Sequence, residues 1–322
     1  MKLIVQIPCF NEASTLPGVV EDIPRHVPGF DSVEILVVDD GSMDGTSDVA
    51  RALGVDHVVR HSMNQGLARA FRTGLEASLV AGADVIVNTD GDNQYVGADI
   101  PLLTAPILAG TADIVVGDRQ TETVRHFSSV KKALQRLGSF MVRILSGTQV
   151  PDAVSGFRAM SRAAALQLNI VSPFSYTTEM LIQAGNKQLA ITSVPVRTNS
   201  PTRRSRLVGG TPEFLSRSAL TMARTYAMFK PLSTFLIIGA GVLLVGVLPI
   251  IRFLYFFLTG DGTGHIQSLV LGGVLVMVGF MILMIGIVAD LINFNRQLIE
   301  ITLEKVRRLE LERSCGRQEG RQ

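Results

Sequence analysis

Asn88-Thr89-Asp90-Gly91-Asp92-Asn93-Gln94 decides the reading of this chain. It directly follows the mainly apolar run 83–87, so a buried strand delivers two carboxylates, one residue apart, to its carboxyl end. Open α/β sheets bind ligands at the carboxyl ends of their strands. Two hard oxygen donors there suit a divalent cation that also holds substrate phosphates. An isolated Asp-x-Asp is most often a solvated turn. The position at a strand end argues against that here, as does a second acidic element, Asp39-Asp40-Gly41-Ser42, after the apolar run 35–38.

Outward from this stretch, short apolar runs alternate with helical patterns. Residues 3–7, 35–38, 58–60, 85–88 and 114–117 read as strands. Helical spacing covers 13–26, 46–53 and 66–81, the last with Leu67, Ala70, Phe71, Gly74 and Leu75 on one face. This alternation predicts an α/β domain, a mostly parallel, Rossmann-like sheet with helices on both faces. A basic helical stretch follows at 124–145, then Asp152-Ala153-Val154-Ser155-Gly156-Phe157-Arg158, a helix at 177–185 and a strand at 191–196. The soluble domain is expected to span 1–210.

The chain has 322 residues, room for a domain of about 200 residues plus an appendix. The apolar residues are concentrated in that appendix. Stretches 233–258 and 268–292 are each long enough to cross a hydrocarbon core of about 30 Å. The connector 259–265 has no Lys or Arg, whereas Arg217, Arg224, Lys230, Arg296, Lys305, Arg307 and Arg308 flank the pair. The positive-inside rule puts both flanks in the cytoplasm. The expected layout is therefore an amphipathic juxtamembrane helix at 211–232, two transmembrane helices within 233–294 and a charged tail helix at 295–322, solvated or used in contacts between copies. Arg252 and Asp290 are expected to snorkel to the interfaces, and Pro249 to kink the first span.

A net charge of +2 does not argue for nucleic acid. Cys9 and Cys315 have no metal-site or disulfide spacing, which fits a reducing, cytoplasmic setting. Cys9 reads as a small core residue. The N-terminus reads as the first strand rather than as a signal peptide.

Ile7-Pro8-Cys9-Phe10-Asn11-Glu12, Asp39-Asp40-Gly41-Ser42, Asn64-Gln65-Gly66-Leu67, Asp90-Gly91-Asp92 and Ser155-Gly156-Phe157-Arg158 occur in an order that resembles family-2 glycosyltransferases. The pair of C-terminal spans makes the chain similar to the branch that forms polyprenyl-phosphate sugars, the dolichyl-phosphate mannosyltransferase-like enzymes. The resemblance implies a GT-A type fold at the inner cell membrane, inverting transfer from a UDP- or GDP-linked sugar to polyprenyl phosphate, and a homo-oligomer. It implies that Pro8, Phe10, Glu12, Asp39, Asp40, Asn64, Gly66, Asp90 and Arg204 bind the nucleotide-sugar, and that Asp92 and Gln94 hold Mg²⁺ or Mn²⁺. Arg119, Lys132, Arg203 and Arg206 would meet the acceptor phosphate. The catalytic set would be Asp92, Arg119, Asp152 and Glu179, with Asp152 or Glu179 orienting the acceptor or the sugar. A phosphate monoester has a second pKa of about 6, so a lipid-phosphate nucleophile needs no strong general base.

The family often carries Ala and Leu where this chain has Gly91 and Asn93. Processive polysaccharide synthases of the same fold carry a Gln-x-x-Arg-Trp element, and this chain has no Trp. Two other readings stay open at this point: a related transferase with a soluble or protein acceptor, and a non-catalytic nucleotide-sugar-binding scaffold.

Overall fold

The computed structural model describes residues 1–120, 143, 147–148, 150–170, 176–199, 227–260 and 262–319. Lys132, Arg203, Arg204 and Arg206 lie outside the described residues, as do most of the stretches expected at 124–145 and 211–232. The described residues form two compact units, 1–208 with 303–322, and 209–302.

The first unit is built on one sheet of seven strands: β1 (Lys2–Cys9), β2 (Ser32–Asp39), β3 (His57–Arg60), β4 (Val85–Asn88), β5 (Ile114–Asp118), β6 (Arg158–Ser161) and β7 (Ile191–Pro195). Their spatial order is β3-β2-β1-β4-β6-β5-β7. The parallel sheet expected from the alternation is present, with one exception. β6 runs antiparallel between β4 and β5. Its reversal brings its first residue, Arg158, to the edge where the parallel strands end: Arg158 pairs with Asn88 of β4 and Val116 of β5. Cys9 pairs with Asp39, and Asp39 with Arg60, so β1, β2 and β3 end at one level. All the polar motifs therefore open onto one edge.

The strands of the sheet's middle are buried on both faces, which is why they read as continuous apolar runs. On one face Phe71, Leu75, Ala165, Met180 and Leu181 pack against Ile4, Ile86 and Val116. They come from α3 (Leu67–Val80), α5 (Arg162–Gln167) and α6 (Tyr176–Asn186). On the other, Leu16, Val19, Ala50, Ile100 and Leu103 pack against Val5, Val37 and Val87. They belong to α1 (Leu16–Asp22), α2 (Thr46–Ala52) and α4 (Ile100–Leu108). The helix expected over 13–26 is shorter, because Pro17 fits only its first turn and the chain is extended by Ile23, just before Pro24. Ser161 caps α5 by accepting from Ala164 N at 3.1 Å. Arg307, near the end of the chain, belongs to this unit: its Nη1 donates to Leu168 O at 3.0 Å and its Nη2 lies 3.8 Å from Glu76.

The second unit holds α7 (Pro231–Leu258) and the apolar part of α8 (Ile266–Glu319), joined by a short 3-10 turn, Gly262–His265. Both helices are long and apolar enough to cross a bilayer. The charged tail continues α8 without a break, and α7 runs on through Pro249. The two helices meet through glycines seven residues apart. A Cβ on Gly272 would lie 2.8 Å from Gly246 O, and one on Gly279 3.1 Å from Gly239 O. Such backbone approach is how apolar helices gain packing where lipid offers no hydrophobic drive. Arg252 stays by its own helix, 5.9 Å from the Phe256 ring.

Candidate active site

The β1 and β2 ends are stapled together. Asn11, in the left-handed region at φ 55°, donates its N–H to Ser42 Oγ at 2.9 Å and accepts Met43 N at 3.0 Å. Glu12 N donates to Thr46 Oγ1 at 3.0 Å. Asp39 and Asp40 come to the expected edge, but both carboxylates are buried; Asp39 receives donors from the loop that follows it and Asp40 from the 61–66 loop. Asp39 accepts from Ser42 N at 2.8 Å and from the Ser47 hydroxyl, with Arg60 Nε at 3.8 Å. Burial alone would raise its pKa; the Ser42 and Ser47 hydrogen bonds outweigh that and hold it below the usual carboxylate range. Asp40 meets His61 Nδ1 at 2.7 Å and accepts Gln65 N at 2.9 Å and Gly66 N at 2.8 Å. These bonds pull the 61–66 loop against the β2 turn. Gly41, at φ 73°, leaves the room: a Cβ there would lie 2.5 Å from the Met63 backbone. Phe10 and Asn64 are exposed at the rim. Pro8 sits within buried β1, its carbonyl 3.5 Å from where a Cβ of Gly91 would be.

At the end of β4, Thr15 Oγ1 lies 2.7 Å from Gly91 O and 2.9 Å from Glu12 Oε2, joining the first and fourth strand ends. Asp92 Oδ1 accepts Gln94 N at 3.0 Å, across Asn93 at φ 58°. Asp90 is wedged against Gly156, whose Cβ, if present, would lie 2.7 Å from both carboxylate oxygens. Burial, then the charge of Asp92, pushes Asp90 up to about 7, against the opposing pull of Arg119 and Arg158. Such surplus negative charge on hard oxygen donors fits a divalent cation. Among the described residues no group of three or more His, Cys, Asp or Glu is placed to hold a metal. Asp92 and Gln94 would therefore need further oxygens from the substrate, as phosphate-bound Mg²⁺ sites do.

Across the edge, the two residues expected to act separately form one buried fork. Arg119 Nε donates to Asp152 Oδ2 at 2.7 Å and Nη2 to Oδ1 at 3.0 Å. Asp152 is 1% exposed and holds the Arg119 guanidinium through this two-point pair. Glu179 is buried in the first turn of α6, with Gln183 Nε2 donating to its Oε1 at 3.2 Å.

Five residues outside the expected set organise this half. Arg158 is wholly buried and donates to Ser155 O at 2.8 Å, Ala153 O at 2.8 Å and Thr177 O at 2.6 Å, tying the 152–157 loop to the turn that carries Glu179. Asn88 Nδ2 donates to Gly156 O at 2.8 Å and to Tyr176 OH at 3.1 Å. Gly156 N donates to Tyr95 OH at 2.9 Å. The Ser155-Gly156-Phe157-Arg158 motif, and an asparagine ending an apolar strand, were the signals available for Arg158 and Asn88.

The glycosyl transferase family 2 model matches residues 4–168. The chain is 30% identical over 214 residues to the UDP-N-acetylglucosamine–dolichyl-phosphate N-acetylglucosaminyltransferase of Methanococcus voltae, covering 60% of this chain and 83% of the relative. It is 28% identical over 206 residues to the polyprenol monophosphomannose synthase of Mycolicibacterium smegmatis, covering 61% of this chain and 76% of the relative. Among solved structures, glucosyl-3-phosphoglycerate synthase from Mycobacterium tuberculosis, in complex with Mn²⁺, UDP and phosphoglyceric acid, superposes with a TM-score of 0.55 at 22% identity, over 70% of this chain and 77% of the other. Motif order, strand topology and the family match agree: this chain belongs to glycosyl transferase family 2.

Proposed function

We propose that this glycosyltransferase moves one sugar from a nucleotide-sugar donor to polyprenyl phosphate at a membrane, releasing a nucleoside diphosphate. The observation that carries the reading is the β4 edge, where Asp90, beside the charge of Asp92, lies within electrostatic reach of an arginine, Arg119, that is paired with Asp152. The names of two relatives support a lipid-phosphate acceptor. The UDP-linked donor of one supports UDP over GDP, and the Mn²⁺ bound to the structural neighbour supports a divalent cation, Mg²⁺ or Mn²⁺.

Phe10, Glu12, Asn64 and Gly66 border the proposed nucleotide cleft, and Pro8, Asp39 and Asp40 keep its loops in shape. A cation held by Asp92 and Gln94 would neutralise charge on the departing diphosphate. Arg119, with Lys132, Arg203 and Arg206, would hold the acceptor phosphate, while Arg204 meets the donor diphosphate and Asp90 the ribose or sugar. An acceptor oxygen attacks the anomeric carbon as the bond to the nucleoside diphosphate breaks on the opposite face, so the anomeric centre inverts. Glu179 would orient the acceptor or the sugar without serving as a required base. The basic flanks support a multi-pass anchor with the catalytic unit on the cytoplasmic side, and the spans offer a surface for a homo-oligomer.

The test is nucleoside diphosphate release by detergent-purified protein over a panel of UDP- and GDP-sugars, with Mg²⁺ or Mn²⁺, with and without undecaprenyl or decaprenyl phosphate. Release that requires the lipid phosphate and one donor is expected, and Asp92→Ala abolishes it. Release that ignores the lipid phosphate would move the acceptor to another class of molecule.

A further inference from the structure

The metal-edge loop is held at both ends, and its second support comes from a distant part of the chain. Asn199 donates its backbone N–H to Gln94 O at 2.9 Å. Its side-chain Nδ2 donates to Asn93 O at 3.1 Å and lies 3.4 Å from Asn93 Oδ1. Around it, Thr198 bridges Tyr95 in antiparallel fashion, and Arg197 clamps the buried carboxylate of Asp99 through its backbone N–H at 2.7 Å and its Nε at 3.0 Å. One residue thus binds two successive carbonyls of the loop.

Asn93 lies between Asp92 and Gln94 in the left-handed region, which L residues other than Asn, Asp and Gly rarely enter. Its side chain fits because position 18 is glycine: a Cβ there would lie 3.2 Å from Asn93 Nδ2. The left-handed residue folds the loop so that Gln94 N reaches Asp92 Oδ1 at 3.0 Å. That bond ties the Asp92 carboxylate to the Gln94 backbone.

We propose that Asn199 is a positioning residue for the cation: by holding the Asn93 and Gln94 carbonyls it keeps Asp92 and Gln94 in ligating arrangement before any metal arrives. The proposal rests on the metal reading of Asp92 and Gln94 given above.

The experiment is a Mn²⁺ titration of the full-length, detergent-purified protein at fixed UDP, and in parallel at fixed GDP, following the paramagnetic resonance signal of free Mn²⁺. Amide exchange of the 91–96 region and thermal melting are read on the same samples. Asn199→Ala is expected to weaken Mn²⁺ binding by about fivefold, the worth of one hydrogen bond, and to speed exchange at 91–96. In turnover the loss falls on the half-saturating Mn²⁺ concentration, with kcat recovered at saturating Mn²⁺. Arg197→Ala, which removes the side-chain ion pair with Asp99 and no bond to Asn93, should shift Mn²⁺ binding by less than about twofold. Wild-type Mn²⁺ affinity in Asn199→Ala, with only melting or exchange altered, would reduce Asn199 to a structural tie and overturn the proposal alone. No Mn²⁺ binding by the wild-type protein with either nucleotide would overturn the metal reading and this role with it.

Discussion

Replacing Gly156 by alanine would put a methyl carbon 2.7 Å from both oxygens of Asp90 and 3.0 Å from its Cγ. Ordinary contact begins near 3.4 Å, so a separation of about 0.7 Å has to be found. The glycine cannot supply it. Its N–H is held by Tyr95 OH at 2.9 Å, its carbonyl by Asn88 at 2.8 Å, and the carbonyl before it by Arg158 at 2.8 Å. The carboxylate must swing instead, away from the edge it shares with Asp92. Overpacking of this kind costs about 1–3 kcal/mol in stability. A displacement near 1 Å at reacting groups costs on the order of 100-fold in rate. The expected result is a folded protein with a modestly lowered Tm and kcat/KM for nucleoside diphosphate release down by about that factor, most of it in kcat. Thermal melting and the coupled release assay, run side by side, read both. Wild-type kcat and metal dependence in a folded Gly156→Ala would refute the placement of Asp90 and its part in the site.

Gly91→Ala would bring a Cβ to 2.8 Å from Cys9 Sγ, so it should destabilise by about 1–2 kcal/mol, and Cys9→Ala in the same chain should restore most of the loss; additive Tm changes would show that the two do not share space. Asp152→Asn leaves the Arg119 guanidinium without its fork partner in a site where both side chains are largely buried. It should cost about 3–5 kcal/mol in urea unfolding and raise the KM for lipid phosphate, whereas an unchanged KM would detach Arg119 from the acceptor. Asp39 is held below its unfolded pKa of about 4, so its contribution is complete above that value and is lost as pH falls through the lower folded value. Urea melts should accordingly show Asp39→Asn least stable relative to wild type near neutrality and the gap narrowing as pH falls below about 4; a gap that stays constant there would refute the assignment.

The strands of the N-terminal half were legible because buried parallel strands are uninterrupted apolar runs, and 35–38 and 85–88 are such runs. β6 was not. Four residues headed by an arginine carry no strand pattern, and only the fold supplies the three carbonyls that make a buried Arg158 tolerable. The acidic motifs marked the correct edge, since strand ends in an open sheet coincide. Their orientation was hidden: Asp39 and Asp40 take their donors from loops that the sequence does not bring together, 42–47 and 61–66. The Arg119–Asp152 fork joins residues 33 apart across the ends of two elements, a pairing that local periodicity does not encode. Glycine spacing at 239, 246, 272, 279 and 286 was readable as a sevenfold repeat, yet its use between α7 and α8 depends on the hairpin's register.

The helix that starts at Ile266 ends inside the first unit, where Arg307 binds Leu168 O and approaches Glu76. That unit is therefore assembled from two stretches of chain separated by the whole apolar hairpin. A protease site engineered between 209 and 226 would divide the polypeptide without dividing the unit cleanly, because one product would retain residues 303–322 while the other keeps their docking surface. The two products should co-purify, and halves made separately should complement one another. A fragment ended at 208 would lack a strip of its own surface, so solubility gained by removing the apolar helices would come with a newly bared face beside Leu168 and Glu76.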